Sequence, residues 1–317
     1  MKKKILITGG TGFLGKRLGI ALKDNYQVIL TGRNNKQNFI TKKFTGCEVV
    51  PMDVSNIESI RDVFCEFKPD IVIHAAATKF VDLAEKQPME CIDVNVLGSQ
   101  NVARVCVEKN IDVVVGVSTD KASPPVRNTY GLSKAIMERV FCSMNGKTST
   151  KFTCVRYGNV AWSTGSVLPV WKKMFEETNV LGTTGPEMRR FFFTVDEAVK
   201  LVVTAIDHID EVQGKVLSRE MKAAKIEEIL ENWISVFGGK WEKIEGRPGE
   251  RNDEYLIGEL ELDYTVEKVY NSVKHYLISF NEKQKNSIKE IISSANVKKL
   301  TNEEIISILK NPPIEEM

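Results

Sequence analysis

Gly9-Gly10-Thr11-Gly12-Phe13-Leu14-Gly15 is the stretch on which the reading of this chain turns. Ahead of it, Lys4 to Thr8 makes a short apolar strand. Behind it, Leu14, Leu18, Ala21 and Leu22 recur at helical spacing until Asp24-Asn25 ends the pattern. Strand, glycine turn and helix in that order form a dinucleotide fingerprint with glycines at positions 9, 12 and 15. Glycine permits the tight turn and lets backbone approach a pyrophosphate, whose charge meets the helix N-terminus. Gly9, Thr11, Gly12, Phe13, Leu14 and Gly15 are therefore expected to hold a cofactor.

The second strand, Gln27 to Leu30, runs into Thr31-Gly32-Arg33-Asn34. An acidic residue near the end of this strand would bind a ribose 2′-hydroxyl, but none occurs before Glu48. Arg33, with Asn34 beside it, suits a 2′-phosphate, because a guanidinium donates two hydrogen bonds together. NADP is expected over NAD. Val49 to Met52 reads as a third strand, ending in Asp53-Val54 within reach of an adenine. A helix then carries Ile57, Ile60, Val63, Phe64 and Phe67 on one face and stops at Lys68-Pro69-Asp70. Ile71 to His74 is a buried strand leading into Ala75-Ala76-Ala77, small enough for backbone to pass close over the cofactor. His74 reads as a packed strand-end residue. Asn95, on a helix from about Met89 to Lys109, faces either the active site or solvent.

Asp112 to Val117 is the next strand, followed by Ser118-Thr119-Asp120-Lys121 and Tyr130-Gly131-Leu132-Ser133-Lys134. Tyr130 and Lys134 share a helix face. A phenol titrates near pH ~10, and an ammonium one turn away favours its ionised form, so Tyr130 is placed to take a proton as hydride leaves an alcohol carbon. Phe152 to Tyr157 forms a sixth strand before Gly158-Asn159-Val160. The repeating strand–helix unit implies an α/β fold with a doubly wound parallel sheet of Rossmann type. Ligands bind beyond the carboxyl ends of such strands, where the glycine loop, the alanines, Ser118 to Lys121 and Asn159 all fall.

Beyond Ala161 the pattern loosens. Helices are expected near Val170 to Glu177, after a Thr194/Glu197 capping box, over Lys225 to Phe237, and after Thr301 and Glu304. Gly246-Arg247-Pro248-Gly249-Glu250-Arg251 is a basic loop suited to a diphosphate. Residues 1–160 are expected to form the dinucleotide-binding domain, with 194–218 returning to it. Residues 161–193 and 219–317 are expected to form a smaller C-terminal substrate-binding lobe.

The 317 residues carry 44 Lys and Arg against 42 Asp and Glu, which gives no electrostatic case for nucleic acid or a membrane surface. Ile5-Leu6-Ile7 is too short an apolar run for a membrane span. Six cysteines lack C-x-x-C spacing, and Cys65, Cys106 and Cys142 fall on apolar helix faces, so they read as reduced packing residues of a cytoplasmic protein. The three histidines do not cluster with cysteines, and no metal is expected.

Ser118-Thr119-Asp120-Lys121-Ala122, Tyr130 to Lys134, Arg156-Tyr157-Gly158-Asn159-Val160, Gly165-Ser166-Val167 with Pro169, Arg190-Phe191 and Arg247-Pro248-Gly249-Glu250 together resemble the extended short-chain dehydrogenase/reductases. More narrowly they resemble the inverting UDP-N-acetylglucosamine 4,6-dehydratases of pseudaminic-acid-type pathways. The diagnostic element is Asp120-Lys121, where retaining 4,6-dehydratases carry Asp-Glu and simple epimerases carry neither. Thr164 stands where the family usually has Arg, and Arg189 where it has Thr.

The resemblance implies catalysis by Thr119, Asp120, Lys121, Tyr130 and Lys134. It implies substrate binding by Lys79, Asn159, Ser166, Val167, Arg190, Arg247 and Glu250, and a homo-oligomer. The expected chemistry has Tyr130 taking the 4-hydroxyl proton with Thr119 orienting that oxygen. Lys121, made neutral by burial and by Lys134, removes the C5 proton, and protonated Asp120 releases the 6-hydroxyl as water. A 4-epimerase or plain reductase would use Tyr130 and Lys134 alone, and a non-catalytic NADP-binding module would need neither.

Overall fold

The computed structural model describes residues 2–246 and 250–314. Its first strand is β1 (Lys4–Thr8), buried from Ile5 onward. In chain order there follow α1 (Phe13–Leu22), β2 (Gln27–Gly32), α2 (Asn35–Thr45), β3 (Glu48–Pro51), α3 (Ile57–Phe67) and β4 (Ile71–His74). Two short helices, α4 (Val81–Lys86) and α5 (Pro88–Ile92), lead through one π turn (93–97) into α6 (Gly98–Glu108). Then come β5 (Val113–Val117), a 3₁₀ turn at 120–122, α7 (Thr129–Ser143) and β6 (Lys151–Val155).

These six strands pair in parallel in the order β3-β2-β1-β4-β5-β6. The order reverses direction between β1 and β4, and a crevice opens there at the carboxyl ends of the strands. The doubly wound sheet expected from the repeating units is the fold of this chain.

Several helices start where a short polar side chain takes up a free amide. The Asn34 Oδ1 accepts from the Gln37 amide at 3.0 Å, and the Asn128 Oδ1 accepts from the Gly131 amide at 2.7 Å. The buried face of α2 is polar, with Asn38, Thr41 and Thr45 inward. That explains why no apolar period marks this helix in the sequence.

The second half adds β7 (Asn159–Val160), α8 (Val167–Thr178), β8 (Val180–Thr183), β9 (Arg189–Phe193), α9 (Val195–Asp207), α10 (Ile209–Val212) and β10 (Val216–Arg219). It continues with β11 (Lys222–Lys225), α11 (Ile226–Phe237), β12 (Lys240–Lys243), β13 (Tyr255–Ile257), β14 (Thr265–Tyr270), β15 (Val273–Ile278), β16 (Ile292–Ser293) and α12 (Asn302–Lys310). Strand β10 joins the large sheet parallel to β6. The hairpin β14–β15 then extends that sheet antiparallel along β10, which gives nine strands in all. Residues 265–278 thus depart from the expected lobe. Tyr270, Tyr276, Leu277 and Ile278 of this hairpin pack on the main core.

A second, smaller core lies beside the first. It joins Trp162, Leu168, Trp171, Phe192, Leu230, Trp233, Ile305 and Leu309. No helix among the described residues is long and apolar enough to cross a membrane.

Candidate active site

Between the two cores, beyond the carboxyl ends of β1, β4 and β5, lies a cavity of about 770 Å³. Gly9, Thr11, Gly12, Phe13, Leu14 and Gly15 form one wall. Gly9 adopts φ +64, and a Cβ there would come within 2.7 Å of Ala76. A Cβ on Gly15 would meet Gly10 at 2.5 Å, so the turn packs on itself and on the alanine segment as only glycine allows. Helix α1 begins at Gly12 with no side-chain cap and no acidic residue in its first turn. Its first residues line the cavity, a setting suited to a diphosphate.

Arg33, Val54 and Ala75 to Ala77 continue the wall. Asn34 and Asp53 do not. Asn34 is spent on capping α2, and the Asp53 Oδ1 accepts from the Ser55 amide at 2.9 Å and from its hydroxyl at 2.7 Å. Buried hydroxyls of Thr78, Ser118 and Ser166 face this cavity without a protein partner. An extended polar ligand of the dinucleotide class fits such a lining.

Thr119 and Lys121 line the cavity, and Asp120 between them is buried. Thr119 donates to the Asp120 Oδ1 at 2.9 Å, and the Lys121 ammonium donates to the same oxygen at 3.1 Å and to the Asn159 Oδ1 at 3.3 Å. The Asp120 side chain is fully buried, and its Oδ2 has no partner. Glu254 also faces Lys121 at 3.6 Å and lines the cavity. This carboxylate was not anticipated. Its only local sign is an acidic residue four positions beyond Glu250.

The electrostatics differ from the expectation in two places. Burial alone would discharge Lys121, but Asp120 and then Glu254 outweigh it, and the pKa is raised. Lys121 is an ammonium at rest, and Lys134 is not among the groups that act on it. Burial likewise pushes Tyr130 up to about 12, against the opposing pull of the Lys121 charge and the Thr119 hydroxyl. Lys134, whose ammonium donates to the Met137 sulfur at 3.3 Å, is lowered by burial to about 8. The cation that acts on Tyr130 is Lys121, and Lys134 is not among the groups that do.

Lys79, Asn159, Ser166, Val167, Arg190 and Glu250 all line the same cavity, whereas Arg247 lies outside the described residues. Arg190 is braced by the carbonyls of Arg189 at 2.8 Å and Asn252 at 3.2 Å, while Thr184 donates to Glu250 at 3.0 Å. Thr164 lines the cavity too, and Arg189 points away to pair with Asp253 at 2.6 Å. His74 is a fully buried ring between Thr8 and Ser99, as its strand-end position implied. Asn95 is neither at the reacting centre nor in solvent. It is buried on the π turn and ties the Thr78 backbone (2.8 and 3.0 Å) to Ser133 of α7 (2.9 Å). Cys65, expected to be buried, is exposed, with Lys109 donating to its sulfur at 3.1 Å.

A family described as polysaccharide biosynthesis proteins matches residues 5–301. The chain belongs to this family. Among its relatives is a capsular polysaccharide biosynthesis protein, CapD, of Staphylococcus aureus, 38% identical over 87% of this chain; the chain spans 49% of that relative's length. An inverting UDP-N-acetylglucosamine 4,6-dehydratase of Campylobacter jejuni is 34% identical over 85% of this chain and 82% of its own. A UDP-glucose 4-epimerase of Rickettsia bellii is 31% identical over 98% of this chain and 96% of its own. The resemblance to the inverting dehydratases, within the extended short-chain dehydrogenase/reductases, therefore holds. The X-ray structure of Pen from Bacillus thuringiensis superposes with a TM-score of 0.88 at 26% identity over 98% of each chain. A Thermus thermophilus UDP-glucose 4-epimerase bound to NAD shares the fold, with a TM-score of 0.70 at 19% identity over 78% of this chain and 88% of its own.

Proposed function

We propose that this chain catalyses NADP-dependent 4,6-dehydration of a UDP-N-acetylhexosamine, UDP-N-acetylglucosamine first among them, to a 4-keto-6-deoxy sugar with inversion at C5. Its place is in nucleotide-sugar biosynthesis of the pseudaminic-acid type, in the cytoplasm. The observation that carries this reading is Lys121, which lines one cavity with Tyr130 and is hydrogen-bonded at 3.1 Å to the buried Asp120.

Bound NADP would supply a hydride acceptor for C4 and return the hydride to C6. Gly9 to Gly15 and Arg33 would hold it, and Arg33 with no acid at the end of β2 favours the 2′-phosphate form. Tyr130 takes the 4-hydroxyl proton as the phenolate, a form that burial and the Asp120 charge oppose and that the Lys121 charge and the Thr119 hydroxyl favour. The new ketone acidifies C5.

Asp120 and Lys121 hold one proton between them. When it moves along their hydrogen bond from ammonium to carboxylate, the pair becomes a free amine and a neutral acid. Lys121 then takes the C5 proton, Asp120 gives its own to the departing 6-hydroxyl, and the ion pair is restored. Tyr130 releases the proton that it took from the 4-hydroxyl, and C5 takes one up from the opposite face, which inverts it. Two protons enter the protein and two leave, so the cycle balances.

Incubation with UDP-N-acetylglucosamine in D₂O, followed by NMR, tests this reading. The expected product is a 4-keto-6-deoxy sugar carrying deuterium at an inverted C5. A 4-epimer as sole product would favour the second reading, an epimerase using Tyr130 and Lys134, for which the Rickettsia relative speaks.

A further inference from the structure

Glu254 reaches Lys121 from the far end of the chain, and its position is built with care. Directly after it, β13 passes beneath the Asp120–Lys121 turn. A Cβ on Gly258 would lie 1.8 Å from the Pro124 carbonyl oxygen, which leaves no slack in the contact. The Leu256 carbonyl and the Glu261 carboxylate clasp Arg156, at 3.0 Å and 2.8 Å, and Ser123 of the same turn donates to Glu261 at 3.0 Å. On the other side of the guanidinium Glu138 accepts at 2.7 and 3.0 Å. Every N–H of this buried arginine is used, so β13 and the Lys121 turn are fixed to one point.

We propose that Glu254 is a positioning residue that strengthens Lys121 as the base for C5. The proposal rests on the reading of Lys121 given above. In the reactive arrangement Asp120 carries a proton and offers no charge. The carboxylate then left facing the amine is Glu254, at 3.6 Å and buried, where it stabilises the ammonium as it forms. The other groups facing Lys121 are Asn159 of β7, Tyr130 of α7 and Arg190 of β9, whose charge opposes protonation. Glu254 is the counterweight to that arginine.

Competitive acetylation by acetic anhydride, read at Lys121 by peptide mass spectrometry across pH, tests the coupling without turnover. Relative to the unaltered chain, Glu254→Gln should move the labelling midpoint down by roughly one pH unit, with Glu254→Asp in between. Asp253→Asn, which removes the neighbouring ion pair to Arg189, should leave the midpoint in place and so control for a shift of β13. In turnover, Glu254→Gln should lower kcat about tenfold with KM little changed. An unmoved midpoint overturns the proposal, and so does a moved midpoint with unchanged kcat. If the unaltered chain makes no dehydrated product yet the midpoint moves, the functional reading falls and the Glu254–Lys121 coupling stands.

Discussion

Lys121 and Tyr130 divide the chemistry between them, and single substitutions separate their parts. Lys121→Ala removes the C5 base while leaving Tyr130 and Lys134, so dehydration should fall by about 10²–10⁴-fold. Exchange of solvent deuterium into C5, followed by NMR, should fall with it. Undiminished exchange would assign the base elsewhere. His74 makes a prediction of a different kind. Burial, then the nearby Lys134, holds its pKa at about 3, whereas the unfolded chain protonates near the ordinary value of 6.5. Between these values the unfolded state binds the extra proton, so stability is lost as pH falls through that window, by at most about 1.4 kcal/mol per pH unit. Urea midpoints at several pH values should show a shallower acid slope for His74→Gln; equal slopes would exclude His74 as the group responsible.

At the scale of elements, the glycine turn, the Tyr130/Lys134 face of α7 and the Asp120–Lys121 turn were legible because each is a local pattern with a local cause. What stayed hidden is long-range. Glu254 acquires meaning only when β13 folds under a turn far earlier in the chain, and with it comes the second carboxylate, after Asp120, that supports the charge on Lys121. Asn34 and Asp53 occupy the anticipated loops, but their side chains answer to the amides of Gln37 and Ser55. The β13 contact yields its own prediction. Gly258→Ala must push the strand from Pro124, at a cost of about 1–3 kcal/mol. Thermal unfolding should show that loss together with reduced turnover, and full activity at unchanged stability would mean the strand has room to yield.

For the whole molecule, adjacent helices α5 and α7, with the π turn between α5 and α6, leave Met89, Ile92, Leu97, Leu132 and Ile136 exposed. We propose that a second copy of the chain covers them, as the homo-oligomer implied by the resemblance would. Leu132→Glu should then lower the mass seen by light scattering from that of an assembly to that of one chain; a monomeric unaltered chain would remove the basis for the proposal. The hairpin β14–β15 has a separate consequence. It shields the backbone of β10, whose amides and carbonyls would otherwise face solvent on one side. The outermost strand left after the hairpin is added carries Glu267 and Lys268 outward, charges that discourage another strand from docking. A chain ending before Thr265 would retain every group proposed to touch substrate. Its expected failing is aggregation through an uncovered sheet margin.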